Sequence, residues 1–315
     1  MRIVLASPRG FCAGVNMAIE TLEEALRRFP PPIYVYHEIV HNRWVVSHFT
    51  DRGVIFVDDL NAVPAGATLL YSAHGVSPEI RRRAEELRLR TVDATCPLVT
   101  KVHREVRRFS DRGFTVLLVG HAGHDEIVGT MGEAPHAIRL IENEEQAESV
   151  TVADPQRVAY STQTTLSVDD AERIVSRLRR RFPTLQGPAR DDICYATQNR
   201  QEAVRALAAE TDVFLVVGSQ NSSNSRRLAE IACAAGIPAY LVDGPEDLHE
   251  EWFHADQTVG ITAGASAPES LVQGCVNYLR ERFQAVVEER VLRQENVRFA
   301  LPIELRTSRE TVPEA

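Results

Sequence analysis

Three of the five cysteines in this 315-residue chain share one kind of setting. Cys12 lies in R-I-V-L-A-S-P-R-G-F-C-A-G-V, after a short apolar run and between Gly10 and Gly14. Cys96 lies in T-V-D-A-T-C-P-L-V-T-K-V-H and Cys194 in D-D-I-C-Y-A-T-Q-N-R-Q, each just ahead of a helical pattern. The first helix is expected from near Val15, and Pro97 marks the start of another. A thiolate at a helix N-terminus is favoured by the dipole and by free N–H groups, and glycines let a backbone approach a bound group closely. A packed, inert cysteine is the alternative at any one of these positions. Recurrence at domain-sized intervals points to three similar units whose cysteines converge. Structural zinc takes four ligands, usually with local C-x-x-C pairs, and the chain has no such pair. Three thiolates from distant segments suit a 4Fe–4S cluster with one iron lacking a protein ligand, and an open iron is a Lewis acid. Three unrelated buried cysteines remain the other reading. Cys233 and Cys275 lie in mid-helix patterns and read as core residues.

A second set of residues could bind an anion. The segments H-E-I-V-H-N, S-A-H-G-V-S-P and G-H-A-G-H-D-E carry His41, His74, His121, His124 and Glu126. S-T-Q-T-T-L-S carries Thr164 and Thr165, G-S-Q-N-S-S-N-S carries Ser222, Ser223 and Asn224, and A-G-A-S-A-P carries Ser266. Small polar residues opening a helix offer N–H and hydroxyl donors to a phosphate or diphosphate, and imidazoles add more. Any one loop could equally be a helix cap. Glu126 reads either as a proton carrier with a raised pKa or as an acid complementing a helix dipole. No Walker-type loop and no G-x-G-x-x-G after a strand is present, which disfavours the usual ATP and NAD sites.

The elements that must position these residues are short apolar runs alternating with amphipathic stretches. Strands are expected at Ile3–Ala6, Ile33–Tyr36, Val54–Val57, Thr68–Tyr71, up to Thr91-Val92, and at Thr115–Val119, Val158–Tyr160, Val213–Val217, Ala239–Val242 and Val259–Thr262. The alternation predicts an α/β fold with small, mainly parallel sheets, and most of the polar segments fall where such strands end, the place where α/β sheets bind ligands. Composition agrees with a soluble globular protein: 44% hydrophobic, 25% charged, net charge −9. That charge argues against nucleic-acid binding. No apolar run is long enough for a membrane span and no signal peptide is expected. An odd number of scattered cysteines points to a reducing cytoplasm rather than disulfides.

Taken together and in order, S-P-R-G-F-C-A-G-V, H-E-I-V-H-N, S-A-H-G-V-S, D-A-T-C-P-L-V-T-K-V-H, G-H-A-G-H-x-E, S-T-Q-T-T-L-S, D-D-I-C-Y-A-T-x-N-R-Q, S-x-N-S-S-N-S and T-A-G-A-S-A-P closely resemble the 4-hydroxy-3-methylbut-2-enyl diphosphate reductase family, also called LytB or IspH. The match runs from about residue 1 to about residue 306. One departure is Asp125, where some members carry proline.

The resemblance implies three α/β units arranged pseudo-threefold around a central iron–sulfur cluster. Here they would be 13–96, 97–193 and 194–285 with 1–12 joining the third, followed by a C-terminal strand and tail over 286–315, polar and disordered from Thr307. It implies one oxygen-sensitive 4Fe–4S cluster on Cys12, Cys96 and Cys194. It implies a diphosphate pocket of His41, His74, His124, Ser222, Ser223, Asn224 and Ser266, with Thr164 beside the substrate hydroxyl at the unique iron and Glu126 as proton donor. The activity implied is the last step of the methylerythritol phosphate route, giving isopentenyl and dimethylallyl diphosphate by two-electron reductive dehydroxylation. With no flavin or nicotinamide fingerprint, an external carrier such as ferredoxin or flavodoxin is expected to supply the electrons. A non-enzymatic iron–sulfur sensor would need a partner surface that the acidic composition does not advertise. A metal-independent phosphate transferase would leave the three cysteines unexplained.

Overall fold

The computed structural model describes residues 1–306; the expectation for the tail from Thr307 falls outside the described residues. The chain runs through β1 (Arg2–Ser7), α1 (Ala13–Arg28), β2 (Ile33–Tyr36), α2 (Arg43–Thr50), β3 (Val54–Val57), β4 (Thr68–Tyr71), α3 (Pro78–Glu86), β5 (Arg90–Asp93) and α4 (Pro97–Asp111). It continues with β6 (Thr115–Val119), α5 (Asp125–Glu133), β7 (Ile138–Ile141), α6 (Glu144–Ser149), β8 (Val158–Thr162), α7 (Val168–Arg181) and α8 (Tyr195–Ala208). The last group is β9 (Val213–Val217), α9 (Ser223–Ala234), β10 (Ala239–Val242), β11 (Thr258–Ala263), α10 (Glu269–Phe283) and β12 (Val286–Val291).

These strands form three sheets, β3-β2-β4-β5, β7-β6-β8 and β10-β9-β11-β1-β12, and the strand pairings within them are all parallel. The three share one plan. In the first two sheets the first strand in chain order sits second, flanked by the next two; in the third, β9 holds that place between β10 and β11, and in each a further element follows on the far side. In the first sheet that element is β5, which leads to Cys96. In the third it is β1, which leads to Cys12. In the second a single parallel bridge from Ala159 to Gln186 takes that position, ahead of Cys194. The N-terminal strand thus completes the sheet of the C-terminal segment: Ile3 registers with Val259 and Val4 with Gly260.

Local sequence explains the elements. Central strands buried on both faces read as unbroken apolar runs, as in Val213–Val217, where every residue is buried. Helix α4 starts on Pro97 and buries Val99, Val102, Val106 and Phe109, a three-and-four spacing that gives one apolar face. Helix α1 ends on Arg27 and Arg28, which complement its C-terminal dipole. Leu22, Phe49 and Leu70 pack on one side of the first sheet, where Leu305 from the C-terminal segment also inserts, fully buried. Helices begin slightly earlier and strands run slightly longer than the sequence suggests: α1 opens at Ala13 rather than near Val15, and β8 continues through Thr162. Strand β7 escapes the apolar-run criterion because the exposed Arg139 interrupts the run Ile138–Ile141. No helix among the described residues is long and apolar enough to cross a membrane.

Candidate active site

The carboxyl ends of the three sheets face one cavity. It is lined by Cys12, Cys96 and Cys194, by His41, His74 and His124, by Glu126 and Thr164, and by Ser222, Ser223, Asn224 and Ser266. With the exception of His121, every residue singled out from the sequence for a cluster, an anion pocket or proton transfer is therefore brought to a single place. His121 is not among the lining residues; its Nε2 lies 2.9 Å from Arg227 Nη2. Cys275 is buried in the core around β9 and β11, as expected. Cys233 corrects the sequence reading: it is exposed, because it falls on the outward face of α9.

The three thiols each sit at a helix N-cap: Cys12 before α1, Cys96 before α4 and Cys194 before α8. Three positive helix ends thus meet three sulfur atoms. All three cysteines are free. Burial, with the neighbouring Cys12 and Cys194 sulfurs adding to it, pushes the Cys96 thiol far above its usual range. Burial and Cys12 push Cys194 up to about 11. Cys96 and Cys194 thus resist ionisation on their own, and a cationic centre bound among the sulfurs reverses that. Gly14 leaves the room: a Cβ there would lie 2.6 Å from Cys96 Sγ and 3.9 Å from Cys12 Sγ. The donor set is soft, half-buried and three-fold, which fits an iron–sulfur cluster better than a harder cation.

Above the thiols stand the imidazoles. The rings of His41 and His74 stack at 3.9 Å, and His124 meets them edge-on at 5.3 and 5.8 Å. His124 caps α5, its Nδ1 accepting from the Glu126 N–H at 3.2 Å, which leaves Nε2 as the protonated nitrogen. Burial and the neighbouring imidazoles lower His124 to about 3 and hold His74 well below the usual value, so both act as neutral N–H donors. His41 Nδ1 lies 3.2 Å from Glu38 Oε2, an orientation that leaves Nε2 facing inward.

The serine side is equally prepared. Ser222 caps α9 and accepts from the Ser225 N–H and hydroxyl. Ser266 donates to the His41 carbonyl at 2.8 Å, tying the third sheet to the histidine loop. Asn224 is the most telling residue here. It is buried, yet neither its amide nitrogen nor its carbonyl oxygen has a partner. Buried polar atoms are nearly always paired, so this amide is placed for a polar ligand.

Glu126 is 2% exposed and accepts from the Thr164 N–H at 2.7 Å and the Thr164 hydroxyl at 2.9 Å. Burial raises its carboxyl to about 7, outweighing the two Thr164 hydrogen bonds that favour the charged form. It therefore holds its proton near neutrality and shares a short path with the Thr164 hydroxyl.

Sequence reasoning missed the side chains that lock the cysteine segments together. Arg200, fully buried on α8, donates to the Gly10 carbonyl at 2.7 Å and pairs with Glu295 at 3.1 Å. The Tyr195 hydroxyl accepts from the Ala13 N–H at 3.3 Å. Lys101 on α4 pairs with Asp192 at 2.9 Å and donates to the Asp191 carbonyl, also at 2.9 Å. Thr197 completes the Cys194 cap, with its hydroxyl 3.2 Å from the sulfur. Apart from Glu295, these side chains lie within six residues of a cysteine in chain order. An arginine or lysine one to two turns into a helix that opens on a cysteine was the available signal.

Comparison with known proteins agrees with this architecture. The family model described as LytB protein matches residues 3–280. The 4-hydroxy-3-methylbut-2-enyl diphosphate reductase of Rhodopirellula baltica is 57% identical over 306 residues, covering 97% of this chain and 96% of that one. The enzyme of the same name from Azotobacter vinelandii is 54% identical over 310 residues, covering 97% and 98%. The solved structure of the E-1-hydroxy-2-methyl-but-2-enyl-4-diphosphate reductase from Plasmodium falciparum superposes with a TM-score of 0.94 at 39% identity, covering 96% of each chain. With three like sheets, three capping cysteines and this extent of likeness, the chain belongs to the LytB family.

Proposed function

We propose that this chain is a 4-hydroxy-3-methylbut-2-enyl diphosphate reductase. It adds two electrons and two protons to the allylic alcohol and releases water, leaving isopentenyl or dimethylallyl diphosphate. The observation that carries this reading is the single cavity in which three free thiols, three inward imidazoles, an unpaired buried amide and a buried glutamate with a raised pKa meet. The relatives' shared name supports it. Cys12, Cys96 and Cys194 would hold one 4Fe–4S cluster where the units 13–96, 97–193 and 194–285 with 1–12 meet. That group, when bound, supplies the electrons one at a time and a Lewis-acidic iron beside the pocket. An external carrier such as ferredoxin or flavodoxin would deliver them, in a cytoplasm that keeps the thiols reduced.

The chain's own residues divide the remaining work. His41, His74 and His124, with Ser222, Ser223, Asn224 and Ser266, bind the diphosphate, and the α9 N-terminus adds its dipole. Fixing that end turns the hydroxymethyl end toward the thiols. Thr164 and Glu126 both line the cavity and are hydrogen-bonded to each other, so the Glu126 proton would reach the departing oxygen directly or through the Thr164 hydroxyl. A carboxyl with a pKa near 7 is suited to giving up a proton at neutral pH.

Anaerobically purified protein should carry iron and sulfide and show a broad visible absorption that bleaches on reduction; a colourless protein would contradict the reading. Two further outcomes follow. Ser222→Ala, Asn224→Ala and His74→Ala should each weaken binding of substrate and of inorganic diphosphate by about 1.5–3 kcal/mol while leaving iron content intact. Calorimetric titration checks this, and unchanged affinity in all three would reduce these loops to helix caps. Gly14→Ala should lower iron content several-fold without unfolding the chain, because the new methyl occupies space between two sulfurs. Iron assay beside circular dichroism reads both parts.

A further inference from the structure

Asp125 is a carboxylate set directly against the histidines of the pocket. It opens α5 and is 19% exposed, and its oxygens lie 3.7 Å from His41 Nε2 and 3.9 Å from both His74 Nδ1 and His37 Nε2. These separations are too long for hydrogen bonds, so the carboxylate faces three ring nitrogens without engaging any. Nor do the imidazoles need it for orientation or charge. His37 Nδ1 has Asp58 at 3.0 Å, His41 Nδ1 has Glu38 at 3.2 Å, and His74 has the Ser72 hydroxyl at 3.4 Å. From β2, the Tyr36 hydroxyl senses the same charge, its pKa raised by burial and then by Asp125. What Asp125 adds is a negative charge beside the atoms that would grip an anion.

Resting on the diphosphate reading of this pocket, we propose that Asp125 is an affinity-setting residue, a built-in anion that opposes the diphosphate at His41 and His74 and keeps substrate and product exchangeable. A phosphoryl oxygen bonded to His41 Nε2 sits roughly 3 Å from that nitrogen, which itself lies 3.7 Å from Asp125, and hence comes close to the carboxylate. Two anions so placed repel, and more strongly in a half-buried pocket than in water. The ligating atoms of His41, His74 and Asp125 do lie within 4.8 Å of one another, a spacing that would also suit a metal ion. The ring geometry speaks against one: His41 and His74 stack nearly parallel, at 17°, whereas a metal lies in the plane of each imidazole it binds.

Two neutral replacements suit the position. Asparagine keeps the shape. Proline suits the first helical residue, and His124 ahead of it already has the extended backbone that proline requires, with φ −71° and ψ 134°. Calorimetric titration of the holoenzyme with inorganic diphosphate tests the proposal. Asp125→Asn and Asp125→Pro should each bind about tenfold more tightly than the natural chain, a gain that a damaged fold does not produce. KM for the substrate should fall in the same direction. If the natural chain binds diphosphate and Asp125→Asn binds it no more tightly, this proposal is overturned alone. If the natural chain binds no diphosphate at all, the pocket reading falls with it.

Discussion

Replacing Cys12, Cys96 or Cys194 with serine should remove the cluster and with it all reductase activity, whereas Cys233→Ser and Cys275→Ala should retain both. The contrast follows from where the sulfurs lie. The first three cap α1, α4 and α8 around one cavity, at the far ends of strands or bridges from three different sheets. A serine hydroxyl is a harder and far less acidic donor than a thiol, so a three-point site loses a point it cannot spare. Cys233 is exposed on α9 and Cys275 is packed in the core against β9 and β11. Alanine at Cys275 leaves a small cavity and lowers stability modestly. Iron and sulfide content across the five variants reads the outcome. Loss of iron in Cys233→Ser to the same degree as in Cys96→Ser would break the ligand assignment.

Glu126→Gln should keep the cluster and bind substrate nearly as well as the natural chain, yet turn over at least ~10²-fold more slowly, the loss expected for a missing general acid. Glutamine fits the site: its carbonyl can accept from the Thr164 N–H and its amide can donate to the Thr164 hydroxyl, replacing the two bonds seen at 2.7 and 2.9 Å. What it lacks is the acidic proton. The diphosphate variants fail chiefly in binding, so a drop in kcat with little change in KM separates the two roles.

The same carboxyl should set a pH dependence. Burial raises its pKa to about 7, so the folded chain holds this proton in a range where the unfolded chain, near 4.5, has released it. Its contribution to stability is therefore complete at low pH and is lost as pH rises between those two values. Activity that relies on the proton should likewise be full below about 7 and decline above it. Glu126→Gln should lose this pH dependence of unfolding, gaining on the natural chain as pH rises from 5 to 8, by an amount of the order of a few kcal/mol. Thermal unfolding at those two pH values measures the gain, and parallel curves would mean that Glu126 ionises normally.

Much of the site was legible in the sequence because its residues sit in loops with strong local signatures. A cysteine before a helix, a histidine after a strand and a serine-asparagine cap each announce a place in an α/β fold, and all of them but His121 reached the cavity. The sheets were legible for the same reason: central strands such as Val213–Val217 are apolar throughout. Three kinds of feature were not. Strand β7 is short and half exposed, so its pattern resembles a loop. Arg200 reads as an ordinary surface arginine of an amphipathic helix, and only the folded chain brings Gly10 and Glu295 to it from opposite ends of the sequence. Asp125 reads as a helix N-terminal acid, and its position against three histidines depends on how the first and second sheets meet. Long-range juxtaposition, rather than local propensity, is what these residues share.

The most direct test of the whole account is anaerobic incubation of the cluster-loaded protein with (E)-4-hydroxy-3-methylbut-2-enyl diphosphate and an artificial one-electron reductant, with the products identified by nuclear magnetic resonance. The account predicts consumption of two electrons per molecule and formation of isopentenyl and dimethylallyl diphosphate, with the diphosphate group intact. Iron-loaded protein that binds the substrate but returns it unreduced, or that releases inorganic diphosphate instead, would contradict it.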